Sequence, residues 1–216
     1  RPQNENVVIN SVTLTGNDNV SMNEILYIIR LRPPNWFFRR PGFDSRLVKL
    51  DALTLKSYYH SKGYLDVKVN ESYTIDNNSA DIVYHINEGE QFNISQIIVT
   101  GNEIIKDRKI KKLLGLVEKK PYNPVLINDN IFEVENVYHQ LGKLFFTIKV
   151  LDEISDSVKV IIQINEGKDI RVKNTFLEKI GGIDSSLIWR ELTYELGHIY
   201  SKKTMDNTSR RLREMG

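Results

Sequence analysis

The chain contains no cysteine among its 216 residues. It therefore has no disulfide framework and no thiolate zinc site. No apolar run approaches the roughly 20 residues that a membrane-spanning helix needs. The formal net charge is only +2, and charges of both signs are interspersed, which argues against a nucleic-acid-binding surface.

The motifs of common enzyme classes are absent as well. The sequence has no phosphate-binding glycine-rich loop, no His-Glu-x-x-His and no Gly-x-Ser-x-Gly. It also lacks the Gly-x-x-Gly tetrapeptide that KH domains place between two helices to bind RNA. These absences favour a binding protein over an enzyme, and they imply no cofactor, no metal, no nucleic acid and no small-molecule substrate.

What the chain does contain is an internal repeat with a nearly constant spacing. The segment IVYHINEG begins at Ile82, and the similar segment VIIQINEG begins at Val160. Four further anchors recur in the same order, and such a repeat determines the fold class before any other pattern. The matched pairs are VTLTGN (12–17) with IIVTGN (97–102), Phe43-Asp44 with Tyr122-Asn123, YYHSKG (58–63) with VYHQLG (137–142), and YLDVKV (64–69) with FFTIKV (145–150). Asp51 and Asp129 are paired by the same spacing as Ile82 and Val160.

Each copy predicts the order strand, helix, helix, strand, strand. VTLTGN alternates apolar and polar residues, as a half-buried strand does, and Ser21 with Glu24 has the spacing of a capping box at the start of a helix. The second helix is predicted over Asp44–Ser61, with one face formed by Leu47, Leu50, Leu53 or Thr54, and Tyr58. Its counterpart spans Pro124–Leu141, and Asp76-Asn77-Asn78 predicts a hairpin turn.

This order of motifs resembles the POTRA module of BamA- and TamA-like outer-membrane assembly proteins, where tandem modules precede a transmembrane β-barrel. The resemblance implies an α+β fold in which two helices pack on a three-stranded mixed sheet. It divides the chain into an N-terminal linker (1–6), a first module (7–90), a second module (91–167) and an incomplete or divergent third module (168–216). It also implies a position on the periplasmic face of the bacterial outer membrane, with a membrane contact only through an expected C-terminal barrel.

The resemblance further implies that the modules bind unfolded outer-membrane proteins, accessory periplasmic proteins or lipoproteins by strand addition. A three-stranded sheet has two edges with unpaired backbone groups, and an extended chain can add there with little demand on its sequence. The POTRA region of a two-partner secretion transporter and a purely docking scaffold are the alternatives. The second strand of each module is the predicted binding edge: Tyr64, Leu65, Asp66, Val67, Lys68 and Val69, and Phe146, Thr147, Ile148, Lys149 and Val150. Leu65, Val67 and Val69 are expected to face the helices, and Tyr64, Asp66 and Lys68 to face away.

For three other features, a functional role has to be weighed against a purely structural one. Trp36, Phe37 and Phe38 lie in a long aromatic connection between the first two helices, and they form either an exposed docking patch or a small satellite core. His60 and His139 recur at equivalent positions, but one histidine per module makes no ligand cluster. Asp51 and Asp129 have no acid–base partner at a meaningful spacing, so we expect helix-surface or capping residues.

Overall fold

The predicted order of helices and strands occurs twice in the computed structural model, which describes residues 7–34, 42–178 and 184–215. Two more helices follow in the last part of the chain. The first copy comprises β1 (Val8–Thr15), α1 (Met22–Ile28), α2 (Ser45–Ser61), β2 (Lys68–Asp76) and β3 (Ser79–Asn87). The second comprises β4 (Ile94–Thr100), α3 (Asp107–Leu113), α4 (Pro124–Gln140), β5 (Thr147–Ile154) and β6 (Val158–Asn165), and the last helices are α5 (Ser185–Glu191) and α6 (Lys202–Glu214).

Each three-stranded sheet has its last strand in the middle. The strand order is β1-β3-β2 in one sheet and β4-β6-β5 in the other. β3 runs parallel to β1 and antiparallel to β2, and β6 runs antiparallel to β5. The hydroxyls of Ser95 and Thr100 on β4 donate to the carbonyls of Val158 and Ile162 on β6, so these two strands share one direction. The predicted mixed sheets are confirmed.

The chain divides into two compact units. One lies within residues 1–94 and 119–126, and the other within residues 95–118 and 127–216. In the first unit the core residues of α2 pack with the inward side chains of β3, which alternate along the strand as Ala80, Ile82, Tyr84 and Ile86. In the second unit the inward side chains of β6 are buried with the same alternation.

Helix α2 buries a different face from the predicted one. Leu55 and Tyr59 are fully buried, whereas Leu50 and Leu53 are 39% and 65% exposed. The buried face includes Asp51, whose carboxylate accepts hydrogen bonds from two backbone N–H groups that follow α1. In a sequence, a carboxylate within a row of apolar residues indicates a solvent-exposed helix face. The neighbouring face of α2 was therefore predicted to be the buried one. The prediction of a helix-surface residue was wrong for Asp51.

The second helices of the two copies, α2 and α4, are aligned by their buried tyrosines, Tyr59 and Tyr138. The offset between these two tyrosines is one residue longer than the offset between the two Asn-Glu-Gly motifs. The counterpart of Asp51 is therefore Asn130, and the predicted pairing with Asp129 was wrong. Asp129 itself is exposed on α4, as expected for a helix-surface residue. The offset between the two copies becomes one residue shorter again in the last strand. The reason is that the hairpin from Thr147 to its partner Asn165 is one residue shorter than the hairpin from Lys68 to its partner Asn87.

Strands β2 and β5 begin later than predicted. Leu65 and Asp66 form a turn before β2, and Tyr64 is buried with only 7% of its surface exposed. Its ring meets that of Tyr59 edge to face, with the ring centroids 5.7 Å apart. The expected outward direction of Tyr64 was therefore wrong, because this aromatic residue completes the core beside α2 before the strand starts.

The pairing of YLDVKV with FFTIKV was shifted by two residues. Lys68 begins β2 and Thr147 begins β5, so the buried residue just before each strand is Val67 in one copy and Phe146 in the other. Phe146 stacks on Tyr138 with the ring centroids 4.2 Å apart. Pattern matching aligned the aromatic residues with each other, whereas the structure aligns the buried positions.

The end of each second helix bonds to the chain that follows its own copy. The carbonyl of Gly63 accepts the N–H of Phe92 at 2.9 Å, and the carbonyl of Phe92 accepts the N–H of Tyr122 at 2.9 Å. Ile170 donates to the carbonyl of Gly142 in the same way, at 3.1 Å. Gly63 has a φ of +91°, and a Cβ there would lie 2.8 Å from the carbonyl oxygen of Phe92. A glycine is required because this approach leaves no room for a side chain.

The last part of the chain repeats only the helical half of the pattern. Helix α6 begins at Lys202, directly after Tyr200-Ser201, and Arg171 forms an isolated bridge with Ile199. Residues 172–178 carry no strand. In both sheets the first strand pairs with the last strand of the same copy, and residues 184–215 contain no such strand. None of the helices in the described ranges combines the length and the apolar character that crossing a bilayer requires.

Candidate functional site

In the part of the chain that the structure describes, the outer edges of β2 and β5 are open along their whole length. Both strands lie at the edge of their sheet, and each pairs with one neighbour. Within residues 7–34, 42–178 and 184–215, the backbones of Lys68–Asp76 and Thr147–Ile154 make no hydrogen bonds beyond their own hairpin. These strands therefore expose unpaired N–H and C=O groups that an added strand could use.

The hairpin geometry identifies which residues of β2 have outward-facing backbone groups. Asn77 and Asn78, with φ values of +45° and +63°, form a two-residue turn between the paired residues Asp76 and Ser79. In such a hairpin the pair that flanks the turn exchanges hydrogen bonds, and the pattern then alternates along the strand. The backbone groups that face away from β3 therefore belong to Val69, Glu71, Tyr73 and Ile75.

The same alternation holds in β5. Ser155 donates its N–H to the carbonyl of Ser157 inside the turn, so the next pair, Ile154 and Val158, is not hydrogen-bonded. The backbone groups that face away from β6 therefore belong to Ile148, Val150, Asp152 and Ile154. Val69 corresponds to Ile148 by the alignment that pairs Lys68 with Thr147, so both copies present the same positions.

Partly exposed apolar side chains line the open edges. Val69 contacts the core of the first unit, and Tyr73 and Ile75 lie on the same face of β2 but are 43% and 44% exposed. The ring of Tyr73 lies 4.9 Å from that of Phe43. On β5, Ile154 is 51% exposed. An added strand would cover these side chains, which supplies apolar burial in addition to backbone pairing.

The opposite edges, formed by β1 and β4, are occupied where each strand begins. Phe43 donates its N–H to the carbonyl of Val7 at 2.9 Å, and Val8 forms a bridge with Gly42. At the start of β4 the carbonyl of Ile94 accepts the N–H of Lys119 at 2.7 Å. The segment that precedes each second helix therefore already acts as a short neighbour of the first strand.

The structure places only part of the predicted site on these edges. Lys68 and Val69 lie on β2, and Thr147–Val150 lie on β5. Tyr64, Val67 and Phe146 are buried beside the helices, and Leu65 with Asp66 forms the preceding turn. The prediction missed the distal halves of both strands, residues 70–76 and 151–154. In the first copy, the number of residues between Tyr64 and the Asn77-Asn78 turn could have indicated a longer strand. The role of these residues in binding stays a prediction.

The repeated Asn-Glu-Gly motif has a structural role that the sequence analysis did not assign. Glu88 is 6% exposed and accepts hydrogen bonds from the hydroxyl of Tyr59 at 3.0 Å and from the backbone N–H of Asn19 at 3.1 Å. Burial of its ring and the neighbouring Glu88 carboxylate raise the pKa of Tyr59 well above its usual range. The carboxylate thereby ties the second helix to the loop that follows the first strand.

The second copy repeats this arrangement. Glu166 is 8% exposed and accepts the hydroxyl of Tyr138 at 3.0 Å and the backbone N–H of Ile104 at 2.9 Å. Burial and the Glu166 carboxylate raise the pKa of Tyr138 well above its usual range. Because both tyrosine hydroxyls donate to a buried carboxylate, the arrangement stabilises the fold.

The histidines lie at separate places along the chain. Among the described residues no group of three or more histidine, aspartate and glutamate side chains could hold a metal ion. Burial, and next the charge of Lys56, lower the pKa of His60. His85 shares a hydrogen bond of 2.9 Å with the Thr15 hydroxyl. Trp36, Phe37 and Phe38 lie outside the described residues, so both readings of that segment stay predictions.

Two tandem α+β copies, each with two helices and a three-stranded mixed sheet, define the class of fold, and comparisons with known proteins identify the family. The family model for POTRA, described as a surface antigen variable number repeat, matches residues 7–89 and 92–167. The chain belongs to the POTRA family. Its place on the periplasmic side of the outer membrane, predicted from the resemblance, is confirmed by this membership and by the relatives described next.

Relatives agree with this assignment. The outer membrane protein assembly factor BamA of Buchnera aphidicola is 26% identical over 189 residues, which cover 80% of this chain and 30% of that protein. A putative outer membrane protein assembly factor of Treponema pallidum is 21% identical over 183 residues, covering 79% of this chain and 22% of the relative. The crystal structure of POTRA3-5 of Haemophilus influenzae BamA has a TM-score of 0.59 at 17% identity, and the match covers 97% of this chain and 86% of that one. The chain thus spans less than a third of the length of these two curated relatives.

Proposed function

We propose that this chain is the polypeptide-binding part of a factor that assembles or translocates outer-membrane β-barrel proteins. It engages unfolded outer-membrane proteins, and accessory periplasmic proteins, by strand addition to β2 and β5. The observation that carries this proposal is the asymmetry of each sheet: one edge is occupied where its strand begins, and the other is open along eight or nine residues. The names of the BamA relatives support the assembly role.

Backbone pairing suits a protein with many clients. The N–H and C=O groups of an added strand are the same in every sequence, so affinity comes from the main chain and selectivity only from alternate side chains. Tyr73, Ile75 and Ile154 provide a modest apolar surface that favours strands with alternating apolar residues. Exchange of backbone hydrogen bonds needs no cofactor, nucleotide or catalytic group. The rival function, a docking scaffold for folded partners, would use side-chain surfaces instead of the strand edge.

The test is an amide NMR titration of the whole chain with an eight-residue peptide of alternating valine and threonine, flanked by lysines for solubility. We expect shifts at Val69–Ile75 and Ile148–Ile154. Glu71→Pro and Asp152→Pro each remove an outward-facing N–H donor while the ladder inside the sheet is kept, so each abolishes the shifts in its own strand. Glu71→Ala and Asp152→Ala lose the same side chains but keep the donors, and they should bind normally.

A second peptide sharpens the result. The same sequence with N-methyl groups on alternate residues cannot donate from one edge, so it should bind at least ten times more weakly. Equal binding of the methylated peptide, or shifts confined to helix surfaces, would exclude strand addition. Binding lost equally in the proline and alanine variants would show that the side chains carry the contact, which favours the docking scaffold.

A further inference from the structure

A groove in the second unit runs between α3 and the outer side of β4. It encloses about 740 Å³. Ile97 and Leu116 lie in its lining with only 5% of their surfaces exposed, and Val117 stands at the rim with 55% exposed. The groove thus combines an apolar lining with an open mouth, the form that extended peptide segments fit.

The α3 side of this groove is basic. Arg108, Lys111 and Lys112 line it, and Lys109 lies on the same helix. The one acidic residue of α3, Asp107, accepts a hydrogen bond from the side-chain amide of Asn102 at 2.7 Å. The helix therefore carries four positive charges and one negative charge in a chain whose net charge is only +2.

A carboxylate of the chain itself already reaches into this groove. One Glu118 oxygen accepts the edge N–H of Ile97 at 3.3 Å and lies 3.9 Å from the ammonium nitrogen of Lys111. Both distances are long, and half of the Glu118 side chain is exposed. Such an exposed contact is weak, so another carboxylate can displace it.

The first copy lacks the basic character at the same positions. The buried residues Ile25 and Ile110, one in each helix, place α1 and α3 in correspondence. Asn23, Leu26 and Tyr27 then occupy the positions of Arg108, Lys111 and Lys112. The charge is therefore a property of the second copy and is not demanded by the fold.

We propose that this groove is a docking site for an extended acidic and apolar peptide segment of a partner protein. A carboxylate of the segment replaces Glu118 on the Ile97 N–H and on Lys111, and apolar side chains cover Leu116 and Val117. The concave apolar lining and the single edge N–H favour a peptide over an anionic lipid surface, because a bilayer is flat and cannot reach a recessed amide. The site is separate from the open edges of β2 and β5.

The test uses the whole chain and a fluorescein-labelled peptide of alternating leucine and glutamate, eight residues long, followed by fluorescence anisotropy. Removing the internal competitor in Glu118→Ala should tighten binding by about fivefold. The double variant Lys111→Glu, Lys112→Glu should weaken it by at least tenfold. Lys49→Glu with Lys56→Glu, on the surface of α2, changes the net charge equally and should leave the affinity unchanged.

Three results would overturn the proposal. They are no binding at millimolar peptide, equal binding by a leucine–lysine peptide, and an affinity that Glu118→Ala leaves unchanged or lowers. Tight binding of vesicles made of equal parts phosphatidylglycerol and phosphatidylcholine, lost in the Lys111→Glu, Lys112→Glu variant while the peptide fails to bind, would assign the basic surface to membranes instead. Glu71→Pro and Asp152→Pro should not change the affinity of the groove for the peptide. Failure of the groove proposal can therefore be distinguished from failure of the proposed strand addition.

Discussion

The two copies end their first helix in different ways. In the first copy, the N–H groups of Arg30 and Leu31 donate to the buried carboxylate of Asp51, at 2.9 and 2.8 Å. In the second copy, Gly115 adopts a φ of +71° and the N–H of Leu116 closes back on the carbonyl of Lys111 at 2.9 Å. The two N–H groups that follow each helix need acceptors, which are the Asp51 carboxylate in the first copy and carbonyls of the helix itself in the second.

This difference explains why Asp51 is buried and its counterpart Asn130 is only partly so. Where a glycine cap closes the helix with backbone groups alone, the second helix has no need of a carboxylate at that position. The fold therefore constrains the hydrogen bonds at this point and leaves the residue type free. Sequence alignment of the copies hides this relation, because the two solutions lie on different elements.

The largest effect is expected for Asp51→Ala. It leaves two N–H groups without their charged acceptor in a buried place and creates a small cavity, so it should lower the free energy of unfolding by about 3 kcal/mol. Urea denaturation followed by amide NMR would measure the loss, with the first unit unfolding earlier. Asn130→Ala is the matched control and should cost less than about 1 kcal/mol. Equal losses in both variants would show that the two copies do not differ here.

A smaller effect is expected for Gly115→Ala. A residue with a side chain pays about 1 kcal/mol to adopt positive φ at this position. The same urea experiment would measure it, and the loss should appear in the amides of α3 and leave those of α1 unchanged. Gly115→Asn is the control, since asparagine tolerates the left-handed region and should recover part of the loss. No difference between alanine and asparagine would argue against the glycine cap.

The smallest effect concerns the opposite ends of the same helices, where α1 has the predicted capping box and α3 has no side-chain cap at Lys106. The Ser21 hydroxyl, followed by the ammonium of Lys62, lowers the pKa of Glu24 from 4.5 to about 2. Because the folded pKa is depressed, the contribution of Glu24 is fully present above pH 4.5 and is lost as the pH falls toward about 2. The Glu24 side chain is 45% exposed, so the effect is small.

Acid titration of unfolding checks this prediction. The wild type should lose stability relative to Glu24→Gln between about pH 5 and about pH 2.5, a window on the scale of the usual and shifted glutamate pKa values. Ser21→Ala removes the hydroxyl that donates to the Glu24 carboxylate and should reduce that slope over the same window. A pH slope that is identical in the wild type and in Glu24→Gln would exclude the capping box as its source.

Much of the fold was predictable because its signals are local. The capping box at Ser21, the start of α4 at Pro124 and the Asn77-Asn78 turn were read correctly, since each depends on residues within a few positions of one another. The buried face of α2 and the starts of β2 and β5 were not read correctly. These features depend on which side chains meet across the core, and an aspartate bonded to a distant backbone looks like a surface residue in sequence.

The candidate site shows the same division. That the second strand lies at an edge follows from the family resemblance, and the structure confirms its place in the sheet. The outward-facing backbone groups of Val69–Ile75 required the observed register, because a shift of one residue would turn every one of them inward. The basic groove beside α3 was not anticipated, since Ile97 and Glu118 are distant in sequence and meet only in the folded chain.

The amino-acid sequence by itself determines the repeat, the order of helices and strands, the helix caps and the hairpin turn, because periodicity and turn chemistry act over short stretches of chain. The tertiary structure decided the burial of Asp51, Glu88 and Glu166, the occupation of one sheet edge where its strand begins, and the opening of the other edge. Those outcomes depend on hydrogen bonds between residues 20 to 69 positions apart. Contacts at that separation form only when the chain has already folded around them.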